Sequence, residues 1–237
     1  MALPKIAAPS YEMKIPSLGK KVKYRPYLIK EEKILMIALE SKSEKQIERS
    51  VLDIIGNCVE GDIDTSLLTS FDIEYLFLKL RAKSVGEGVK LSLTCSSEEC
   101  EEKTNITVDL DSVTMKNSSN IGKLLRVDLG DKLIVDLHYP RISEKITKKD
   151  QKSDADSLIA TVALSLDMIY YKEDSFSTKD VSFEETRDFI ENLSSGQFQK
   201  VIEVLGEGPY VSYDIKFDCK CGHTNEHELK GLSDFFI

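Results

Sequence analysis

Histidine is scarce in this chain, three residues among 237, which leaves few candidates for proton transfer near neutral pH. His138 falls in an expected strand before Pro140, while His223 and His227 flank the last cysteine pair. His227 reads as a surface residue on a strand, not as a base. No Gly-rich phosphate loop and no dinucleotide fingerprint is present. Gly86-Glu87-Gly88 runs into a strand pattern, so it offers no helix N-terminus to a phosphate. No serine sits in a nucleophile elbow. Long apolar runs are missing too: the most hydrophobic stretch, Leu158 to Tyr171, is too short to span a bilayer and carries Asp167. The opening Met1-Ala2-Leu3-Pro4-Lys5 lacks the apolar centre of a secretory signal. Positive charge is in deficit, with 32 Lys and Arg against 41 Asp and Glu and a formal charge of −9. Such a surface repels phosphate backbones. These absences remove the usual grounds for an enzyme, a membrane protein or a nucleic-acid binder.

What is present is an ordinary globular composition, 41% hydrophobic and 31% charged, enough to build a sizeable core. Residues 1–19 hold Pro4, Pro9 and Pro16 without steady periodicity and read as an N-terminal arm. From Lys20 onward the pattern predicts one α+β domain. Lys20 to Tyr27 alternates basic and apolar residues, as a strand with one wet face does. Helices are expected over Ile29–Glu40, from Glu44 to Ile55 with Gly56 and Asn57 ending it, and over 70–83. The last of these is apolar on more than one face, with Phe71, Ile73, Leu76, Phe77, Leu78 and Leu80, so it should be buried centrally.

The period then switches to two. Val89, Leu91 and Leu93 alternate with polar residues, and Thr104, Ile106, Val108 and Leu110 repeat the pattern, giving a hairpin. Leu124–Leu129 and Lys132–Tyr139 predict a second hairpin through Gly130-Asp131. Residues 141–157 are dense in Lys, Asp and Ser and read as an exposed loop. A long helix is expected to about Tyr171, then helices over 182–193 and 196–205, the first with a capping box from Ser182 to Glu185. A closing hairpin pairs Tyr210–Phe217 with Asn225–Leu229.

Four of the five cysteines form two close pairs, Cys95 with Cys100 and Cys219 with Cys221, each at a hairpin tip. Two tips brought together supply the four thiolates that tetrahedral zinc takes, which is the logic of a zinc ribbon built from residues 88–111 and 208–231. His223 is a substitute ligand for one thiolate. Four sulfurs would close the shell, so a zinc ion here would be structural. The spacing is irregular, with four residues inside one pair and one inside the other. Four metal-free thiols therefore stay open as an alternative, and so does a reactive thiol beside Lys220. Cys58 stands alone and reads as a small buried side chain.

Three stretches carry a family resemblance: Ile15-Pro16-Ser17-Leu18-Gly19-Lys20 into Tyr24-Arg25-Pro26-Tyr27-Leu28-Ile29-Lys30-Glu31-Glu32-Lys33, the block from Phe71 to Glu87, and the ending Gly231-Leu232-Ser233-Asp234-Phe235-Phe236. They resemble the baseplate hub subunits and hub assembly proteins of T-even-type contractile-tailed phages. The resemblance implies a non-enzymatic protein made in the bacterial host cytoplasm. It would be a stoichiometric part of the tail baseplate hub, and so of the virion, or a chaperone-like assembly factor, with other hub proteins as partners and no small-molecule substrate, nucleic acid or membrane. The family places cysteine pairs at both hairpins, commonly two residues apart, a spacing from which this sequence departs. The tail Phe235-Phe236-Ile237 either awaits a partner or docks on its own core. The competing reading is a zinc-ribbon adaptor acting on host transcription or nucleic acid, resting on the cysteines and the Lys20–Arg25 patch.

Overall fold

Alternation between Lys21, Lys23 and Val22, Tyr24 does make a strand with one wet face, for the lysines are exposed and the two apolar side chains buried. A computed structural model describes residues 7–61, 63–144 and 153–235. In chain order the elements are β1 (Tyr11–Lys14), β2 (Lys21–Tyr24), α1 (Ile29–Glu40), α2 (Glu44–Cys58), β3 (Val59–Glu60), α3 (Ser70–Val85), β4 (Gly88–Thr94), β5 (Lys103–Asp109), β6 (Thr114–Lys116), β7 (Leu125–Gly130), β8 (Leu133–Leu137), α4 (Asp154–Ser165), β9 (Leu166–Tyr171), β10 (Asp174–Ser177), α5 (Phe183–Glu191), α6 (Ser195–Gly206), β11 (Tyr210–Asp218) and β12 (Thr224–Lys230). Among the described residues the strands form four small sheets, ordered β1-β2-β3, β4-β5, β12-β11-β6 and β10-β9-β8-β7. Every pairing is antiparallel. This is the expected mixture of helices and small antiparallel sheets.

Backbone contacts group the chain into two compact units. One takes the described residues up to Thr65, Phe71–Lys116 and those from Tyr210 onward; the other takes Ser66–Ser70 and Asn117–Pro209. The first unit is organised around α3. Its apolar character on several faces requires burial on several faces, and Phe71, Asp72, Ile73, Leu76, Phe77, Leu78, Leu80 and Ala82 are all buried. Its polar side chains hold the segments around it. Asp72 accepts from the Ser17 backbone N–H at 2.8 Å, Ser84 Oγ accepts from the Tyr27 N–H at 2.9 Å, and Lys79 Nζ donates to the Asp111 carbonyl at 2.6 Å. At the C-terminal end, Gly231 turns with φ +72° directly over the Glu74 carboxylate. The Leu232 N–H then donates to Glu74, Arg81 donates to the Phe235 carbonyl at 3.3 Å, and Phe235 is fully buried beside Leu78, Val108 and Ile215. Of the apolar tail, Phe235 thus docks on its own core, while Phe236 and Ile237 lie outside the described residues.

The expected arm is not wholly without structure. Residues 11–14 form β1, which pairs with β2 in the register Tyr11↔Tyr24 and Met13↔Val22. Met13 and, just beyond the strand, Ile15 are the apolar anchors, both buried. The α2 helix also runs past its expected end, carrying Gly56 inside it and ending at Cys58. Cys58 is buried, as expected of it, and burial pushes its thiol up to about 11.

In the second unit, Leu125, Val127, Val135, Leu137 and Leu166 of the sheet pack against Val162, Ile190 and Val201 of α4, α5 and α6. The β7–β8 turn takes three consecutive left-handed residues, Gly130, Asp131 and Lys132, as the Gly-Asp pair foreshadows. Ser182 and Glu185 form the expected capping box at the start of α5. The long helix expected to reach Tyr171 stops at Ser165. Beyond it Met168, Ile169, Tyr170 and Tyr171 pair with β8 on one side and β10 on the other, the position that β-branched and aromatic side chains favour. The expected exposed loop at 141–157 begins tied down: the Ile142 N–H donates to Leu68 and the Ser143 N–H to Ser66. Residues 145–152 of that loop lie outside the described residues, and α4 starts at Asp154.

Candidate metal centre

The two cysteine-bearing hairpins belong to one core. Leu91 and Val108 of β4–β5 and Ile215, Phe217 and Leu229 of β11–β12 pack into the same cluster with Leu78 and Ala82 of α3. Their tips therefore meet. Cys95 lies one residue past β4 and extends its ladder, its N–H donating to the Glu102 carbonyl at 2.9 Å. Cys100 is held in the loop by an N–H bond to Ser97 at 3.0 Å. On the second tip the Cys219 N–H donates to His223 at 2.9 Å, and the Gly222 N–H closes a turn back onto Cys219 at 2.9 Å. Gly222 sits at φ +88°, a conformation that costs glycine little and an L side chain more.

The four sulfurs of Cys95, Cys100, Cys219 and Cys221 all lie within 4.8 Å of one another. Cys95 Sγ is 3.8 Å from Cys221 Sγ, and Cys100 Sγ is 3.8 Å from Cys219 Sγ. A Zn–S bond near 2.3 Å gives a tetrahedral edge of about 3.8 Å, so these two of the four cross-tip separations match an edge of a ZnS₄ tetrahedron. No disulfide joins them; all five cysteines are free thiols. Backbone N–H groups two residues on point at three of the sulfurs: Ser97 at Cys95, Glu102 at Cys100 and Cys221 at Cys219. Donors so placed favour thiolate. At Cys95 the Ser97 N–H leads and brings the thiol down to about 7. At Cys100 the Glu102 N–H pulls the same way, but burial and the neighbouring sulfurs outweigh it and push that thiol up to about 12. Cys95 and Cys219 are buried, Cys100 is half-buried and Cys221 exposed. The donor set is compatible with a zinc ion, with no side-chain position left open for substrate.

His223 occupies a different place. Its Nε2 lies 3.0 Å from Ser96 Oγ, outside the sulfur cluster. Ser96 is in turn engaged by Asn225, whose fully buried side chain accepts from the Ser96 N–H at 2.7 Å and from Ser96 Oγ at 3.0 Å. Asn225 Nδ2 donates to the His223 carbonyl at 3.2 Å. The tips are thus joined by a polar bridge as well as by the sulfurs.

The ends of the chain, the central helix and both hairpins make one continuous pattern, and a model of one family covers it. The family described as T4 bacteriophage base plate protein matches residues 8–237. The chain belongs to that family. No curated protein and no solved structure matches it at a significant level.

In this base plate protein the residues that sequence reasoning missed are Ser96 and Asn225. Register alone bears on it: Asn225 falls on the inward face of β12 with His227 and Leu229, paired with Phe217, while Thr224 and Glu226 beside it face outward. His227 also differs from its expected surface role: it stacks on Phe217 with ring centroids 5.8 Å apart, and its buried Nε2 has no hydrogen-bond partner among the described residues. His138 lies just past β8, with Nε2 3.2 Å from Glu144. Neither histidine faces a nucleophile among the described residues. No helix among them is long and apolar enough to cross a membrane.

Proposed function

We propose that this base plate protein is a non-enzymatic component or assembly factor of the central hub of the tail baseplate, working through contacts with other hub proteins. The observation that carries the reading is the family match over residues 8–237. The sequence features that resemble hub proteins coincide with structural necessities: the block from Phe71 to Glu87 is the buried α3 around which the first unit is built. The four-cysteine centre fits the same role. Cys95, Cys100, Cys219 and Cys221 would hold a structural zinc as in a zinc ribbon, fastening two hairpins far apart in the chain. A closed set of four sulfurs gives a metal no open position for catalysis. The protein would act in the host cytoplasm during assembly and, as a stoichiometric part, stay in the virion tail.

Co-expression with the other hub proteins of the same phage, followed by pull-down and metal analysis of the captured complex, tests this reading. The expected result is a hub subassembly containing this chain with one zinc per copy. Failure to join any hub complex overturns the assembly role; capture without metal overturns the zinc alone.

A further inference from the structure

The α1 helix is apolar nearly all round, with only Lys30, Glu31, Glu32, Lys33 and Glu40 polar among its twelve residues. A helix of that composition belongs inside a structure, yet only Glu31, Leu35 and Ala38 are buried. Those three fall on one narrow stripe. On the remaining surface Ile29 is 77% exposed, Met36 56% and Ile37 55%, with Ile34 and Leu39 also exposed. The neighbouring α2 shows the usual pattern instead, with Lys45, Glu48, Arg49 and Asp53 outward. The apolar surface thus belongs to α1 and is not shared by the helix beside it.

The face diametrically opposite the buried stripe carries Lys33, Met36, Ile37 and Glu40, at the i, i+3, i+4, i+7 spacing of one helical side. Its order is positive, apolar, apolar, negative. Lys33 and Glu40 are exposed, and neither has an ion-pair partner among the described residues. A sequence that reads plus–apolar–apolar–minus is complementary to itself when reversed. A two-fold axis passing between residues 36 and 37 sets each Lys33 against Glu40 of the second copy. The same axis makes Met36 and Ile37 meet their counterparts, with Ile34 and Leu39 on the two flanks of the helix. Isologous two-fold contacts require this kind of self-complementary patch.

We infer that α1 pairs antiparallel with α1 of a second copy of this chain, giving a homodimer closed by reciprocal Lys33–Glu40 contacts around an apolar centre. The interface is a single helix face and thus smaller than a standard one, which puts the dimer among weak, reversible associations. The inference does not rest on the hub role: a chain that joins no hub complex still dimerises if it is right.

Sedimentation equilibrium of the full chain across a wide concentration range, in reducing, zinc-containing buffer, is the test. The wild type is expected to show monomer–dimer exchange. Ile37→Glu should be monomeric with an unchanged melting temperature, because its side chain makes little contact within the chain. Lys33→Glu should weaken the dimer roughly tenfold by setting two acids together at each end. The double swap Lys33→Glu/Glu40→Lys should restore it. Restoration by swapping both charges within one chain is a result that only self-pairing gives. A wild type that stays monomeric throughout overturns the proposal, and if Ile37→Glu then blocks capture of hub proteins, the face belongs to a different partner. A dimer that survives Ile37→Glu, or a double swap as weak as the single, also overturns it.

Discussion

The polar bridge between the two cysteine tips depends on one side chain. Asn225 is fully buried and satisfies both the backbone and the hydroxyl of Ser96 while holding the His223 carbonyl. Replacing it with alanine leaves the Ser96 N–H and the His223 carbonyl without their partner, at about 1–3 kcal/mol for a buried orphan. It also loosens the backbone that positions Cys95, and outer-shell partners of metal ligands typically hold about 10–100-fold in affinity. Asn225→Ala is therefore expected to fold less stably and to release zinc to a competing chelator at lower chelator concentration, as read by a chromogenic zinc indicator. Unaltered zinc retention would show that the sulfurs hold the tips without help. Sequence alone could pair the cysteines because thiols at hairpin tips are recognisable by residue type. Asn225 carries no such mark, since its role depends on which residue the other tip sets opposite it.

At the level of elements, period and capping decided what could be read. The α1 and α5 helices and the β7–β8 and β11–β12 hairpins follow their patterns closely, because helix-forming runs, strand alternation, Ser182–Glu185 and Gly130-Asp131 all act locally. Non-local pairing was invisible. β9 continues directly from α4 without a breaker, and only the presence of β8 and β10 on either side makes a strand of it. β1 hides among prolines and is drawn out by β2. The α3 helix was legible as central, but the tasks of its polar side chains were not. Glu74 is the informative case. Burial raises its pKa above the ordinary carboxylate value, with the Leu232 N–H opposing in part. A raised carboxylate favours the folded state fully only below its unfolded value and loses that contribution as pH rises through the folded one. Glu74→Gln keeps an acceptor for Leu232 and removes the buried charge. The variant should melt about 2 °C above wild type at neutral pH and level with it near pH 4. A lower melting temperature at neutral pH would mean that the charge itself holds the Gly231 turn.

At the scale of the whole molecule, the cysteine centre acts on one compact unit. Its four sulfurs come from residues 95–100 and 219–221, and the stretch between them contains the whole of Asn117–Pro209, which packs a core of its own. Metal binding to four thiolates is coupled to the folding of the segments that carry them. Closing a loop this long also removes considerable freedom from the unfolded chain. The expected effect of chelation is thus large but local. Hydrogen exchange on the zinc-loaded chain before and after a strong chelator, under reducing conditions, should show faster exchange in β4, β5, β11 and β12. The sheet of β7, β8 and β9, whose packing partners are α4, α5 and α6, should keep its protection. Since β11–β12 also covers Phe235 and the adjoining α3, the inner face of α3 should loosen next. Uniform acceleration throughout would mean that the two units unfold as one body. No change anywhere would mean that the hairpins stand on their shared apolar core and the Asn225 bridge alone, and the four sulfurs would then be thiols at rest.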